Sequence, residues 1–323
     1  MARRALIIGI DQYDKISPLK GCVNDALAMK EVLERHENGN LNYDCRVLTS
    51  PGPKPITRRF LREQWTELFE NFDGDVLFYF SGHGSPTNVG GYLVTQDGEP
   101  GDPGLAMNDL LVLANRSKAK SILLILDCCF GGDLGNPPNL QGDGSIENQA
   151  LLKEGVTILA ASRPTQIASE IAGHGVFTNL VLGALKGGAS DIRGRVSAAS
   201  IYAYVEQALG AWDQRPVYKS HADRLPPVRY CRAWVSDLLL RELPAIFPRP
   251  DSTFAMDPSF EYTDPARKPE NVELFDKFKV LRNARLLTTQ EDKDLYYVAL
   301  ESKWVQLTPL GQFYWELVKR GRI

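Results

Sequence analysis

Hydrophobic residues in this chain gather in short continuous runs. Ala5–Ile10 (ALIIGI), Asp75–Phe80 (DVLFYF), Ser121–Leu126 (SILLIL) and Val156–Ala161 (VTILAA) are bounded by polar residues or glycine. Runs of this length suit strands buried on both faces, as in a parallel sheet. Segments of helical period lie between and after them: Ala26–Glu37, behind the capping candidates Asn24 and Asp25, then Thr57–Phe72, Met107–Asn115, Val176–Leu185 and Ala198–Leu209. Alternating strand and helix predict an α/β fold, a mostly parallel sheet flanked by helices. No internal repeat is present.

Two stretches break the rhythm. Gly131–Asn148 is rich in Gly, Pro, Asn and acid and reads as a long functional or cleavable loop. Phe247–Pro269 is proline-rich and aperiodic and reads as a linker. Beyond it, Asn271–Arg282 has helical period, Leu286–Leu300 reads as a β-hairpin around Glu291–Asp294, and Leu307–Arg320 reads as a final helix with Thr308 as cap and Pro309 in its first turn. That order suggests a small α+β, winged-helix-like module.

Composition narrows the function. At 323 residues the chain is long enough for one or two domains with a substantial core, and a net charge of −3 argues against electrostatic binding of nucleic acid or anionic membrane. From Asp251 onward, 11 Lys/Arg stand against 12 Asp/Glu, so the winged-helix-like tail lacks the charge for phosphate binding. No apolar run approaches a membrane span, and Ala5–Ile10 is too short for a signal peptide. Five Cys without framework spacing fit a reducing cytoplasm. No C-x-x-C or H-x-x-x-H pair invites zinc, and no glycine fingerprint invites a nucleotide. Trp212, Trp234, Trp304 and Trp315 read as core or interface anchors, and His36 and His221 as surface residues. His174, between Gly173 and Gly175, stands just ahead of a helix with no assigned role.

Chemistry concentrates at two strand ends. DVLFYF runs into Ser81-Gly82-His83-Gly84, and SILLIL runs into Asp127-Cys128-Cys129-Phe130-Gly131-Gly132. Open α/β sheets place ligands beyond the carboxyl ends of their strands. If these strands are neighbours, an imidazole and a thiol project into one crevice. A thiolate attacks, the imidazole takes and returns its proton, and a bare backbone N–H faces the developing oxyanion.

The pattern resembles the caspase-like cysteine peptidases (family C14), the metacaspase and orthocaspase branch in particular. It covers roughly Ala5 to Ser220: ALIIGIDQY, GCVNDA, FYFSGHG, LLILDCCFGG, ILAASRPTQIASE, GVFTNLVLGAL and QRPVYKS, with His83 standing 46 positions before Cys129. The resemblance implies a peptidase domain over 1–220, large-subunit-like to 130, a loop over 131–150 and small-subunit-like over 151–220. An extension with linker follows over 221–269, then a module over 270–323. It implies Cys129 as nucleophile, His83 as general base and acid, and the N–H groups of Gly84 and Cys129 as oxyanion hole. Cys128 reads as a buried small hydrophobe.

By the same resemblance Asp25 and Asp127, with Cys22 and Ser81, line a pocket for Arg or Lys at the cleavage site. A carboxylate pair grips a guanidinium and repels an acid. Relatives needing calcium carry an acid-rich insertion after S-G-H-G. Here Ser85–Glu99 offers only Asp97 and Glu99, so no cofactor is expected and a calcium requirement is doubted. The expectation is a monomeric cytoplasmic endopeptidase cutting protein substrates after Arg, less well after Lys. Processing near the loop, where Lys153 is an available basic site, would mature it in a stress or defence pathway, and the tail would dock a regulatory protein. The alternatives are a catalytically silent module used in assembly and a DNA-associated regulator acting through the tail.

Overall fold

Every residue of the run Ala5–Ile10 is buried, and it forms most of strand β1 (Arg3–Ile10). In the computed structural model of the protein, which describes residues 2–87, 90–128, 131, 134, 152–161, 170–171, 173–210 and 216–323, the other three apolar runs are inner strands as well. The chain divides into two compact units, Met1–Ser190 with Arg195–Cys231, and Asp191–Gly194 with Arg232–Ile323.

In the first unit β1 leads to α1 (Cys22–Glu34), β2 (Asp44–Ser50), α2 (Arg58–Phe69) and β3 (Asp75–Ser81). Three antiparallel strands follow, β4 (Gly84–Thr87), β5 (Gly90–Glu99) and β6 (Asp102–Ala106), then α3 (Met107–Arg116), β7 (Ser121–Asp127) and β8 (Val156–Ala160). Next come the short pair β9 (Glu170–Ile171) and β10 (His174–Gly175), α4 (Val176–Gly183), β11 (Arg195–Val196), α5 (Ala198–Leu209), β12 (Val217–His221) and β13 (Arg229–Tyr230). The six-stranded sheet has the order β12-β8-β7-β3-β1-β2, parallel except for β12. This is the α/β architecture expected.

Strand alternation divides the core by face. Leu6, Ile8, Phe78, Phe80, Leu124 and Leu126 join Leu61, Trp65, Leu110 and Leu111 of α2 and α3. Ile7, Leu77, Tyr79, Leu123 and Ile125 join Met29 and Leu33 of α1, Val181 of α4 and Ile201 of α5. Side chains at the tips of β3 and β7 therefore inherit a face: Ser81 and Asp127 follow Tyr79 and Ile125 toward α1 and α4.

Two expectations about α1 are corrected. Asn24 and Asp25 do not cap it; the helix begins at Cys22 behind Gly21, whose φ of 96° is left-handed. Asp11, just past β1, supplies the missing acceptors: its carboxylate receives the N–H of Cys22 at 2.9 Å and of Val23 at 3.4 Å. Asp25 is left inside the first turn, buried.

The second unit contains α6 (Asp237–Ile246), β14 (Thr253–Ala255), α7 (Pro269–Asn283), β15 (Leu287–Thr289), α8 (Leu295–Leu300), β16 (Trp304–Leu307) and α9 (Pro309–Lys319), with an antiparallel sheet in the order β14-β16-β15. The stretch read as a linker is packed structure. Phe247, Met256 and Phe260 are buried in this unit's core, and Phe254 supplies the edge strand. Two of its prolines start helical turns, Pro258 a 3₁₀ turn and Pro269 the helix α7. The expected hairpin over Leu286–Leu300 is also corrected. β15 pairs with β16, Thr288 opposite Gln306, while Leu295–Leu300 is a helix capped by Asp294, which accepts from Tyr296 N at 2.9 Å. Thr308 caps α9 as expected. Trp315 is buried and donates to Phe247 O at 2.8 Å, Trp304 is half-buried and Trp234 is exposed. Trp212 lies outside the described residues.

Candidate active site

β3 and β7 are neighbours and run parallel, with Ser81 opposite Asp127, and Gly82 N donates to Asp127 O at 3.3 Å. The Ser81–Gly84 and Asp127–Cys128 segments therefore leave the sheet side by side. Cys129, Gly132 and nearly all of the loop over 131–150 lie outside the described residues. Cys128 is buried and packs with Leu126 and Leu134 on the α2/α3 face, as its hydrophobic reading expects.

His83 sits at the mouth of the crevice. Its backbone N–H donates to Tyr13 Oη at 2.8 Å, and its ring lies 4.9 Å from that of Tyr13. Its Nε2 is 2.9 Å from the carbonyl oxygen of Ser17. A carbonyl only accepts, so Nε2 carries the proton and Nδ1 is left as the basic nitrogen. Gly84 follows as the first residue of β4, and Val94 N of β5 donates to His83 O at 3.0 Å, pinning the turn.

The four residues expected to form the basic pocket come together on the α1/α4 face. Asp25 is 1% exposed, and its Oδ2 accepts from Ser81 Oγ at 3.1 Å and from Gly175 N at 3.3 Å. Its Oδ1 accepts from His174 Nδ1 at 2.8 Å. Asp127 Oδ2 accepts from Thr178 N at 3.2 Å and Thr178 Oγ1 at 2.6 Å. Thr178 Oγ1 gives its only proton to Asp127, so Tyr79 Oη, 2.6 Å away, donates to Thr178. Cys22 is buried beside Ser81.

Burial sets the charges. Desolvation pushes the Asp127 carboxyl up to about 6, the Thr178 hydrogen bond opposes it, and the charge of Asp25 raises it further. Asp25 is raised too, by burial first, against the pull of His174, Gly175 and Ser81. Burial raises the Cys22 thiol far from its ordinary range, so Cys22 stays a neutral wall of the pocket.

Sequence reasoning missed Ser17, Tyr13, Asp11, Tyr79, Gly175 and Thr178 and gave His174 no part. Asp11 and Tyr13 stand in the matching segment ALIIGIDQY, Tyr79 in FYFSGHG, and Gly175 and Thr178 in GVFTNLVLGAL, while His174 is an imidazole between two glycines ahead of a helix; Ser17 carried no signal. The two carboxylates after S-G-H-G are engaged elsewhere. Asp97 Oδ1 accepts from Arg58 N at 3.0 Å and Thr95 Oγ1 at 2.6 Å, and Glu99 pairs with Lys15.

An imidazole just past the tip of β3, a half-buried carboxylate at the tip of its parallel neighbour β7 and the buried Asp25 of α1 beside them fit a caspase-like α/β unit. The chain belongs to the caspase domain family (Peptidase_C14), whose profile matches residues 2–225. It is 36% identical over 89 residues to Metacaspase-1 of Plasmodium falciparum, covering 26% of this chain and 14% of that protein. With Metacaspase-6 of Arabidopsis thaliana the identity is 29% over 150 residues, 42% of this chain and 39% of that protein. The chain thus spans well under half the length of these relatives. In fold it is similar to protein GSU0716 of Geobacter sulfurreducens, with a TM-score of 0.52 and 17% identity over 72% of this chain and all of that one. Among the described residues no helix is long and apolar enough to cross a membrane.

Proposed function

We propose that the chain is a cysteine endopeptidase that cuts protein substrates after Arg, and less well after Lys. The observation that carries this reading is the in-register pairing of Ser81 with Asp127, which sets the His83 turn beside the segment entering Cys129 and places Asp25 and Asp127 on one face. Cys129 Sγ, losing its proton to His83 Nδ1, attacks the carbonyl carbon after the basic residue. The N–H groups of Gly84 and Cys129 receive the oxyanion. His83 returns the proton to the leaving amine, a thioester remains, and water activated by the same imidazole releases the acid and restores the thiol. The basic side chain enters the pocket of Asp25, Asp127, Ser81 and Cys22, where desolvated carboxylates gain most from a guanidinium.

Around this core the reading places a cytoplasmic monomer that needs no metal. It is matured by proteolysis in or near the loop over 131–150, with Lys153 as a candidate basic site. The second unit serves as a docking surface for a regulatory protein in a stress or defence pathway. The test is hydrolysis of fluorogenic peptides ending in Arg, Lys or Asp by the wild type and by Cys129→Ala. Arg above Lys, no cleavage after Asp and no activity in the variant are expected. A correctly folded wild type, processed or not, that is inert toward every basic peptide overturns the reading in favour of a silent assembly module.

A further inference from the structure

The turn between β9 and β10 brings Gly173–Gly175 against the first turn of α1. Asn24 Nδ2 donates to Gly173 O at 3.3 Å, and His174 Nδ1 and Gly175 N both donate to the Asp25 carboxylate. This strap thus lies against both acids of the proposed pocket. Its last residue has φ −59° and ψ 140°, a conformation open to any amino acid. Glycine is therefore not required there by the backbone. It is required by space: a methyl on Gly175 would stand 2.8 Å from Asp127 Oδ2 and 3.3 Å from Asp25 Oδ2. Neither oxygen is free to retreat, since Thr178 holds one with two hydrogen bonds and Ser81 holds the other.

Resting on the basic-pocket reading above, we infer that Gly175 is a specificity-determining residue, whose missing side chain keeps the gap between Asp25 and Asp127 open for a guanidinium. A guanidinium is planar, with five donors in a fixed fork that can span two separate carboxylates; an ammonium is a compact, strongly hydrated charge with three donors and a shorter reach between them. An apolar methyl in the gap would stand against both Oδ2 atoms and take the space through which one planar cation could reach the two carboxylates together. His174 is a positioning residue in the same device. A carboxylate only accepts, so its Nδ1 carries the proton and fixes Asp25 Oδ1, leaving the carboxylate plane set toward Asp127.

The test uses the full chain and Gly175→Ala. kcat and KM are measured on Arg and Lys peptides, agmatine binding by calorimetry as a probe of the guanidinium site, and alkylation of Cys129 by iodoacetamide through peptide mapping. The expected result is a KM for the Arg peptide and a Kd for agmatine raised at least tenfold, with Cys129 alkylated within twofold of the wild-type rate and the melting transition retained. A wild type that cleaves Arg peptides beside a folded Gly175→Ala with the same KM and Kd overturns the inference alone. A wild type that neither cleaves Arg peptides nor binds agmatine overturns the pocket reading, and the inference with it. If Gly175→Ala does not fold, His174→Ala decides, because it adds no volume. A preference for Arg over Lys reduced at least threefold through KM, with kcat within twofold, supports the strap, and an unchanged preference overturns it.

Discussion

Asp127 is a residue whose function and stability pull in opposite directions. Its carboxyl is pushed up to about 6, first by loss of water and then by the neighbouring charge of Asp25. A cation is gripped only when the group is ionised, so kcat/KM for an Arg peptide should fall about tenfold per pH unit below about 6. Asp127→Asn should flatten that limb while raising KM. The stability sign is the reverse. A carboxyl with a raised folded pKa contributes stability that is complete below its unfolded value near 3.9 and is lost as pH rises through about 6. Asp127→Asn keeps an acceptor for Thr178 and drops the buried charge. It should therefore melt above the wild type at pH 8, by on the order of 2–3 kcal/mol, with the gap closing toward pH 4. Equal melting at both pH values would refute the burial argument. At this scale the residues singled out from the sequence, Asp25, Asp127, Ser81 and Cys22, lie near one another on the α1/α4 face. The contacts of their partners were not legible: Asp11, Tyr79 and Thr178 stand inside the matching segments, but what they touch is set through space, and Ser17 lies outside those segments.

The elements owe their placement to close contacts that a single atom can spoil. A Cβ at Gly9 would stand 2.2 Å from Cys22 O and 2.8 Å from Ala26 Cβ, so α1 lies directly on β1. Gly9→Ala should lift α1 and with it Asp25, lowering soluble yield and melting temperature by far more than the Thr57→Ala cap variant. Thr57 Oγ1 receives only Phe60 N at 3.2 Å at the start of α2, on the other face, and its loss should cost about 1 kcal/mol with KM unchanged in a melting and kinetic comparison. On β5, Asp97 and Glu99 already answer Arg58 and Lys15. Activity should accordingly survive excess EDTA and gain nothing from calcium. Buried runs announced the four inner strands because both faces are covered. The edge strands β2 and β12 carry Asp44, Arg46, Lys219 and His221 and hid among polar residues. The six-residue helix α8 is too short to show a period, so its flanking apolar residues imitated a hairpin.

Over the whole molecule, the second unit is threaded through the first in sequence. Asp191–Gly194 belongs to it although Arg195–Cys231 returns to the first. Ile192 O accepts from Trp234 N at 2.9 Å and from Val235 N at 3.2 Å, and Arg193 makes a two-pronged contact with Asp237 at 2.9 and 3.1 Å. Ending the chain at Cys231 removes the apolar partners of Ile192. Such a truncation should bind a hydrophobic dye and precipitate, whereas Arg193→Ala in the full chain should cost no more than about 1 kcal/mol, both partners being partly exposed. The arrangement of the pocket along the chain has a last consequence. Its acids come from before residue 131, and apart from Ser81 the groups described as gripping them, His174, Gly175 and Thr178, come from after residue 151. A cut in the intervening loop would thus yield two pieces that work only as a clasped pair, so the halves of a nicked, active molecule should travel together through gel filtration and come apart only in denaturant.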